Sequence, residues 1–180
     1  MSVVAVKRFK DHVIIGSDSI TVCGYTSRST KFHKLHKIDS SFVLGMVGVC
    51  ENSFLFRRYC KDNRPIENSE FGICDFMSKF KKWQKDFCTY SDDQNDLNLE
   101  FILVFEGVPY VVEGFYAEEI NDYWAIGAGQ DYALGVLSSC DDDKCVHKAI
   151  NSAIKHCVYC VGPITTIRLE IINEKNTGKK

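Results

Sequence analysis

Two apolar, β-branched runs open the chain. VVAVKRF (3–9) and VIIGSDSITVC (13–23) read as strands, with polar Lys10, Asp11 and His12 as the hairpin turn between them. Residues 24–30 are polar and loop-like. LHKI and SFVLGMVGV, within 35–49, predict a second strand pair around Asp39-Ser40-Ser41. The apolar period then lengthens. Phe54, Leu55, Arg58 and Tyr59 recur at helical spacing over about 50–62, and Phe71, Cys74, Phe76, Met77, Phe80 and Trp83 do so over about 67–88. Asn63-Arg64-Pro65 breaks the first helix from the second. The polar SDDQND (91–96) is a surface loop. LEFILVFE and VPYVVEGFYA follow as strands joined at Glu106-Gly107, and WAIGAG (124–129) is a short strand ending in glycines. Helices over 130–139 and about 143–156 flank Cys140-Asp141-Asp142-Asp143. VYCVGPITTIRLEII reads as the last strand, and NEKNTGKK as a polar tail.

Strands cluster and helices cluster, so the pattern predicts an α+β fold with mostly antiparallel sheets. Two helix pairs and about eight strands suggest helices outside two stacked sheets. Residues 1–172 form one domain in this reading and 173–180 its tail; the 180-residue length agrees.

With 45% hydrophobic residues and a formal charge of −2, the chain can bury a sizeable core and has no excess of basic side chains for nucleic acid. No run of about 18 apolar residues predicts a membrane helix. The start, MSVVAVKRFKDH, lacks the order of a signal peptide, which has charges first and then a longer apolar core. The nine cysteines are therefore expected in a reducing cytoplasm, mostly as thiols.

Four features carry candidate chemistry. Ser2 follows an initiator Met that aminopeptidases readily trim from a small residue. A free N-terminal Ser holds a nucleophilic hydroxyl and, in its own α-amine, a base with a pKa of about 8. Asp18, in GSDSIT, is a carboxylate at the end of an apolar strand, either paired or closing a turn through its own backbone. KFHKLHK (31–37), read as a strand, places Phe32, Lys34, His36 and Ile38 on one face. Lys34 is then a fixed cation near Asp18, or one of several solvated lysines. Gly45 and Gly48, with Gly127 and Gly129, offer close backbone approach for an oxyanion hole, or tight turns. Cys140, Cys145, Cys157 and Cys160 are spaced roughly as zinc ligands, although the second pair sits in a strand-like run. The five histidines form no recognisable ligand pair.

The strings SVVAV, VIIGSDS, KLHKID followed by VLGMVG, and AIGAGQDYALGVL resemble β-type proteasome subunits and the bacterial HslV peptidases, which are N-terminal nucleophile hydrolases. The resemblance spans about residues 2–170 and implies a four-layer αββα sandwich. In that family a nucleophile, an Asp, a Lys and an oxyanion Gly are spaced by sixteen, sixteen and fourteen positions. Ser2, Asp18, Lys34 and Gly48 match those intervals. The resemblance implies Ser2 as nucleophile, Lys34 easing loss of its proton, Asp18 orienting Lys34, and the Gly48 N–H holding the oxyanion. An HslV-style alignment places the lysine at Lys31 instead.

The likeness further implies polypeptide substrates, a homo-oligomeric ring, an ATP-dependent unfoldase partner, and no nucleic-acid or membrane partner. No cofactor is required. A structural cation held by the backbone carbonyls of Ile154, Cys157 and Cys160 is also implied. The chain departs from the family at four positions: Ser2 stands for the usual Thr, Ala128 for a Ser, and Cys157 and Cys160 for an Asp and a Ser. These changes keep open an alternative, a ring-forming subunit with the fold but without the chemistry, acting structurally or in partner binding.

Overall fold

Alternation along the strands assigns each side chain a layer. In a computed structural model describing residues 2–23, 26–28, 33–87 and 99–171, β1 (Val4–Arg8) sends Ala5 toward one layer, with Val3 just before it, and Val4 and Val6 toward another. β1 pairs antiparallel with β2 (His12–Ser17). The four-stranded sheet is completed by β10 (Tyr123–Ile126) on β1 and β11 (Thr165–Glu170) on β2. A second, five-stranded sheet runs in the order β5 (Leu35–Lys37), β6 (Phe42–Gly48), β7 (Leu99–Phe105), β8 (Val108–Glu113) and β9 (Tyr116–Glu119). Every pairing in it is antiparallel. β3 (Thr21–Cys23) and β4 (Thr26–Arg28) form a small hairpin apart from both sheets.

Three apolar clusters join four layers. Phe42, Leu44 and Met46 of β6 face α1 (Cys50–Asp62) and α2 (Glu70–Phe87), meeting Phe56, Tyr59, Phe76 and Phe80. Val43 and Val47 of the same strand face the other sheet, packing with Val4, Ile15, Ile102 and Val104. On the far side, Val3, Ala5 and Ile14 meet α3 (Gln130–Leu137) and α4 (Cys145–His156) through Ala133, Val146, Ala149 and Ile150. The result is the expected αββα sandwich. Among the described residues no helix is long and apolar enough to cross a membrane.

Four strand expectations needed correction. The run over 13–23 breaks after Ser17, because the Asp18 carboxylate leaves the ladder to collect backbone N–H groups. VPYVVEGFYA is a hairpin rather than one strand, turning at Gly114 with a positive φ of 59°. The last strand begins at Thr165, not in the VYCVG run. Residues 157–164 are turns, and Pro163 has no N–H for a ladder. The KFHKLHK strand is likewise limited to Leu35–Lys37, with a bend at Lys34. Residues 91–96 and the tail at 173–180 lie outside the described residues, as do Met1 and Lys31.

Candidate active site

The chain start is built into the interior. Ser2 is buried, and β1 begins two residues later between β2 and β10. The Ser2 carbonyl accepts a hydrogen bond from Gly129 N–H at 3.1 Å. Gly127, at φ +89°, lies so close to that carbonyl that an added Cβ would sit 2.6 Å from the oxygen. The Gly-Ala-Gly turn before α3 therefore needs glycine at both ends: at Gly127 to admit the Ser2 backbone, and at Gly129 to clear Cys160 Sγ, which a Cβ would approach to 2.6 Å.

Asp18 sits directly against this segment. Its Oδ1 accepts from Val3 N–H at 3.0 Å and pairs with Lys34 Nζ at 3.0 Å. Its Oδ2 accepts from Ile20 N–H at 3.3 Å and from Val161 N–H at 3.2 Å. The carboxylate is thus supplied on both oxygens, as a buried charge requires. Its backbone is clamped too, since Asp18 N–H donates to Val3 C=O at 3.3 Å. Lys34 also donates to the carbonyls of Ile20, at 2.6 Å, and Asp18, at 3.4 Å. Burial lowers the Lys34 ammonium below its ordinary pKa of 10.5, and the Asp18 charge works in the opposite direction. The bend at Lys34 is what delivers this side chain, and Met46 N–H on β6 fixes it by donating to the Lys34 carbonyl at 3.0 Å.

Gly48 ends β6 with φ +94° and is exposed. Its neighbour Val47 lies beside Gly127, with Cγ1 3.2 Å from where a Cβ on that glycine would be. Gly48 is therefore one residue from a segment that borders the Ser2 carbonyl. Of the sequence-picked residues, Asp18 and Lys34 touch, Ser2 is one residue from Val3, which bonds Asp18, and Gly48 borders the group through Val47. Gly45 belongs elsewhere, between the two sheets, where an added Cβ would lie 2.6 Å from Val4 Cγ1.

The Cys157–Cys160 turn closes the other side. Cys157 Sγ donates to the Ala128 carbonyl at 3.4 Å, and Ser19 N–H donates to Val161 C=O at 2.9 Å. Burial first, and then the Asp18 charge, push the Cys160 thiol up to about 12, so it is a neutral thiol beside the ion pair. The Val161 N–H contact had no sequence signal, since a backbone donor does not depend on side-chain type. Only the Gly127–Gly129 spacing marked the close approach to Ser2.

The zinc arrangement is not formed. Cys140 and Cys145 are joined as a disulfide, and Cys157 and Cys160 lie at the Ser2–Asp18 side of the sheet. Among the described residues, only Cys140, Asp142 and Cys145 group as metal-type ligands. At the C-terminal end of α4, the Cys157 carbonyl accepts from Cys160 N–H at 3.1 Å and retains a second lone pair. The carbonyls of Ile154, Cys157 and Cys160 are hard oxygens at a helix end, where helical N–H partners run out.

No family model matches the chain, and no curated protein does. Solved structures do match. BPH from Thiobacillus denitrificans superposes with a TM-score of 0.80 over 94% of this chain and 98% of its own, at 17% identity. The same protein in complex with epoxomicin gives 0.82 over 95% and 100%, also at 17% identity. Eukaryotic HslV from Trypanosoma brucei gives 0.73 over 93% and 99%, again at 17% identity. The chain has the HslV-like fold over nearly its whole length.

Proposed function

We propose that the protein is a peptidase subunit of the HslV and proteasome type, hydrolysing peptide bonds through Ser2 once Met1 is removed. The observation that carries this reading is the buried Asp18–Lys34 pair, whose carboxylate also binds the N–H of the residue after Ser2. A fixed ammonium beside a chain-terminal hydroxyl favours its alkoxide character, and the free α-amine takes the proton. Ser2 Oγ then attacks the scissile carbonyl. The Gly48 N–H is assigned to the oxyanion. The intermediate collapses as the scissile C–N bond breaks, the protonated α-amine gives its proton to the departing amine, and water, deprotonated by the freed α-amine, then hydrolyses the acyl-ester and releases Ser2 Oγ. Lys34, already lowered by burial, is electrostatically suited to this role.

The likeness to the epoxomicin-bound BPH of T. denitrificans supports an epoxyketone-sensitive site. A homo-oligomeric ring, polypeptide substrates, an ATP-dependent unfoldase and a cytoplasmic location are parts of the same proposal. So is a hard cation at the Ile154, Cys157 and Cys160 carbonyls, which would fix the turn carrying Val161. Hydrolysis of an unfolded polypeptide by Met1-processed protein tests the reading. Wild type is expected to cleave and Ser2→Ala to lose cleavage, while Ser2→Thr retains it. Equal cleavage by Ser2→Ala would overturn it.

A second reading has one observation in its favour. Ala128 offers no hydroxyl between the glycines beside Ser2, and its carbonyl is held by the Cys157 thiol instead. A ring subunit that kept the scaffold and lost the reaction would look the same here. It predicts an assembled ring with no cleavage in any variant.

A further inference from the structure

The loop between α3 and α4 reads Cys140-Asp141-Asp142-Asp143-Lys144-Cys145, and its two ends are bonded to each other. The enclosed acids reach three strands of the four-stranded sheet and α4. Asp141 pairs with Lys7 of β1 at 3.1 Å. Asp143 contacts His12 of β2 at 3.1 Å and Arg168 of β11 at 2.5 Å. Asp142 pairs with Lys148 of α4 at 2.6 Å. These are exposed carboxylates, and each such pair is weak alone. The cross-link holds all three in register, so the ring acts as a clip fixing the α3–α4 loop to the sheet edge.

The two sulfurs differ in a way that suits exchange. Cys140 is part-exposed, with Lys148 Nζ 3.9 Å from its Sγ. Cys145 is fully buried as the first residue of α4, where the helix dipole favours negative charge. Asp142 N–H also points at its sulfur, at 3.1 Å. An incoming thiolate can reach Cys140, and the leaving Cys145 thiolate is already solvated by a backbone donor and a helix N-terminus.

We propose that Cys140 and Cys145 are a reversible thiol–disulfide modification site, exchanging with small-molecule thiols and disulfides of the glutathione class. In the opening direction a glutathione thiolate attacks Cys140 Sγ. The Cys140–Cys145 bond breaks and its electron pair leaves on Cys145 Sγ. A second glutathione thiolate attacks the glutathione sulfur of the mixed disulfide, releasing the Cys140 thiolate. One glutathione disulfide is formed, two electrons enter the protein, and the two thiolates take up two protons. Closure is the reverse, with glutathione disulfide as oxidant. Opening frees Asp141 and Asp143 from Lys7, His12 and Arg168, so the loop loosens while the sheet stays paired. The site is independent of peptide hydrolysis at Ser2.

The test uses the whole wild-type chain in native glutathione buffers of graded ratio. Free thiols are trapped with N-ethylmaleimide and located by peptide mass mapping. Cys140 and Cys145 are expected to gain label together, in one two-electron transition within the series, while buried Cys60 stays unlabelled. Hydrogen exchange of 140–146 should quicken several-fold on opening, with β1 and β2 unchanged. Lys148→Gln should slow alkylation of the reduced Cys140 several-fold. Independent labelling of the two cysteines would overturn the proposal. So would a bond that never opens in the most reducing native buffer, or thiols that never close in the most oxidising one. Protection of the reduced pair by stoichiometric zinc would replace it with a metal site.

Discussion

Asp18 meets Val3 N–H, Ile20 N–H, Val161 N–H and the Lys34 ammonium, so removing its charge strands a buried cation. Asp18→Asn is expected to cost about 3–5 kcal/mol, read as a lower urea midpoint, with loss of cleavage. Adding Lys34→Met should recover part of that stability and none of the activity, which separates the pair's structural role from its chemical one. His36 gives a pH dependence of defined sign. Burial, followed by Arg57, lowers its pKa from 6.5 to about 4, so the folded chain holds it neutral. As pH falls below 6.5 the unfolded chain takes the proton first, and stability drops until about pH 4; above 6.5 this contribution is complete. The loss amounts to roughly 3 kcal/mol by linkage when complete near pH 4. Thermal unfolding between pH 7 and pH 5 should therefore show a steeper fall for wild type than for His36→Leu. At this scale the sequence exposed Ser2, Asp18 and Lys34 because their chemistry depends on side-chain type. The N–H of Val161 escaped notice because any residue but proline supplies one.

The alternation of strand and helix clusters was legible, because central strands such as β1, β2, β6 and β7 are buried on both faces and read as continuous apolar runs, while the helices show one apolar face. Two of the misreadings share a cause. At Asp18 and at residues 157–164 the β-rich pattern continues, but the backbone is diverted to serve the site: Val161 N–H goes to the carboxylate and Ser19 Oγ to the Pro163 carbonyl at 2.5 Å. Propensity sees neither demand. Two glycines show how tightly the elements are seated. A Cβ on Gly16 would lie 2.6 Å from Ile150 Cδ1 and 2.7 Å from Val146 Cγ1 on α4, and one on Gly45 would meet Val4 and Ile15 of the facing sheet. Gly16→Ala and Gly45→Ala should each destabilise by about 1–3 kcal/mol in denaturant unfolding. Gly135, with nothing near its Cβ position, should tolerate Ala with no such loss.

Across the whole molecule, the four layers place the start of the chain at the junction of both sheets and the α3–α4 pair. That placement is what the proposed role of Ser2 rests on: its carbonyl is held by Gly129 N–H from one side, and the Asp18–Lys34 pair binds the next residue, Val3. The same fold carries the redox clip at the opposite end of α4, so the two sites can be tested separately. Intact-mass analysis of the processed chain after exposure to epoxomicin addresses the central claim most directly, because the epoxyketone is captured by hydroxyl and α-amine together. The account predicts loss of Met1 and one adduct per chain, mapped to Ser2 and absent in Ser2→Ala and Lys34→Ala. A folded, Met1-free chain that stays unmodified, or an adduct that persists in Ser2→Ala, would contradict it.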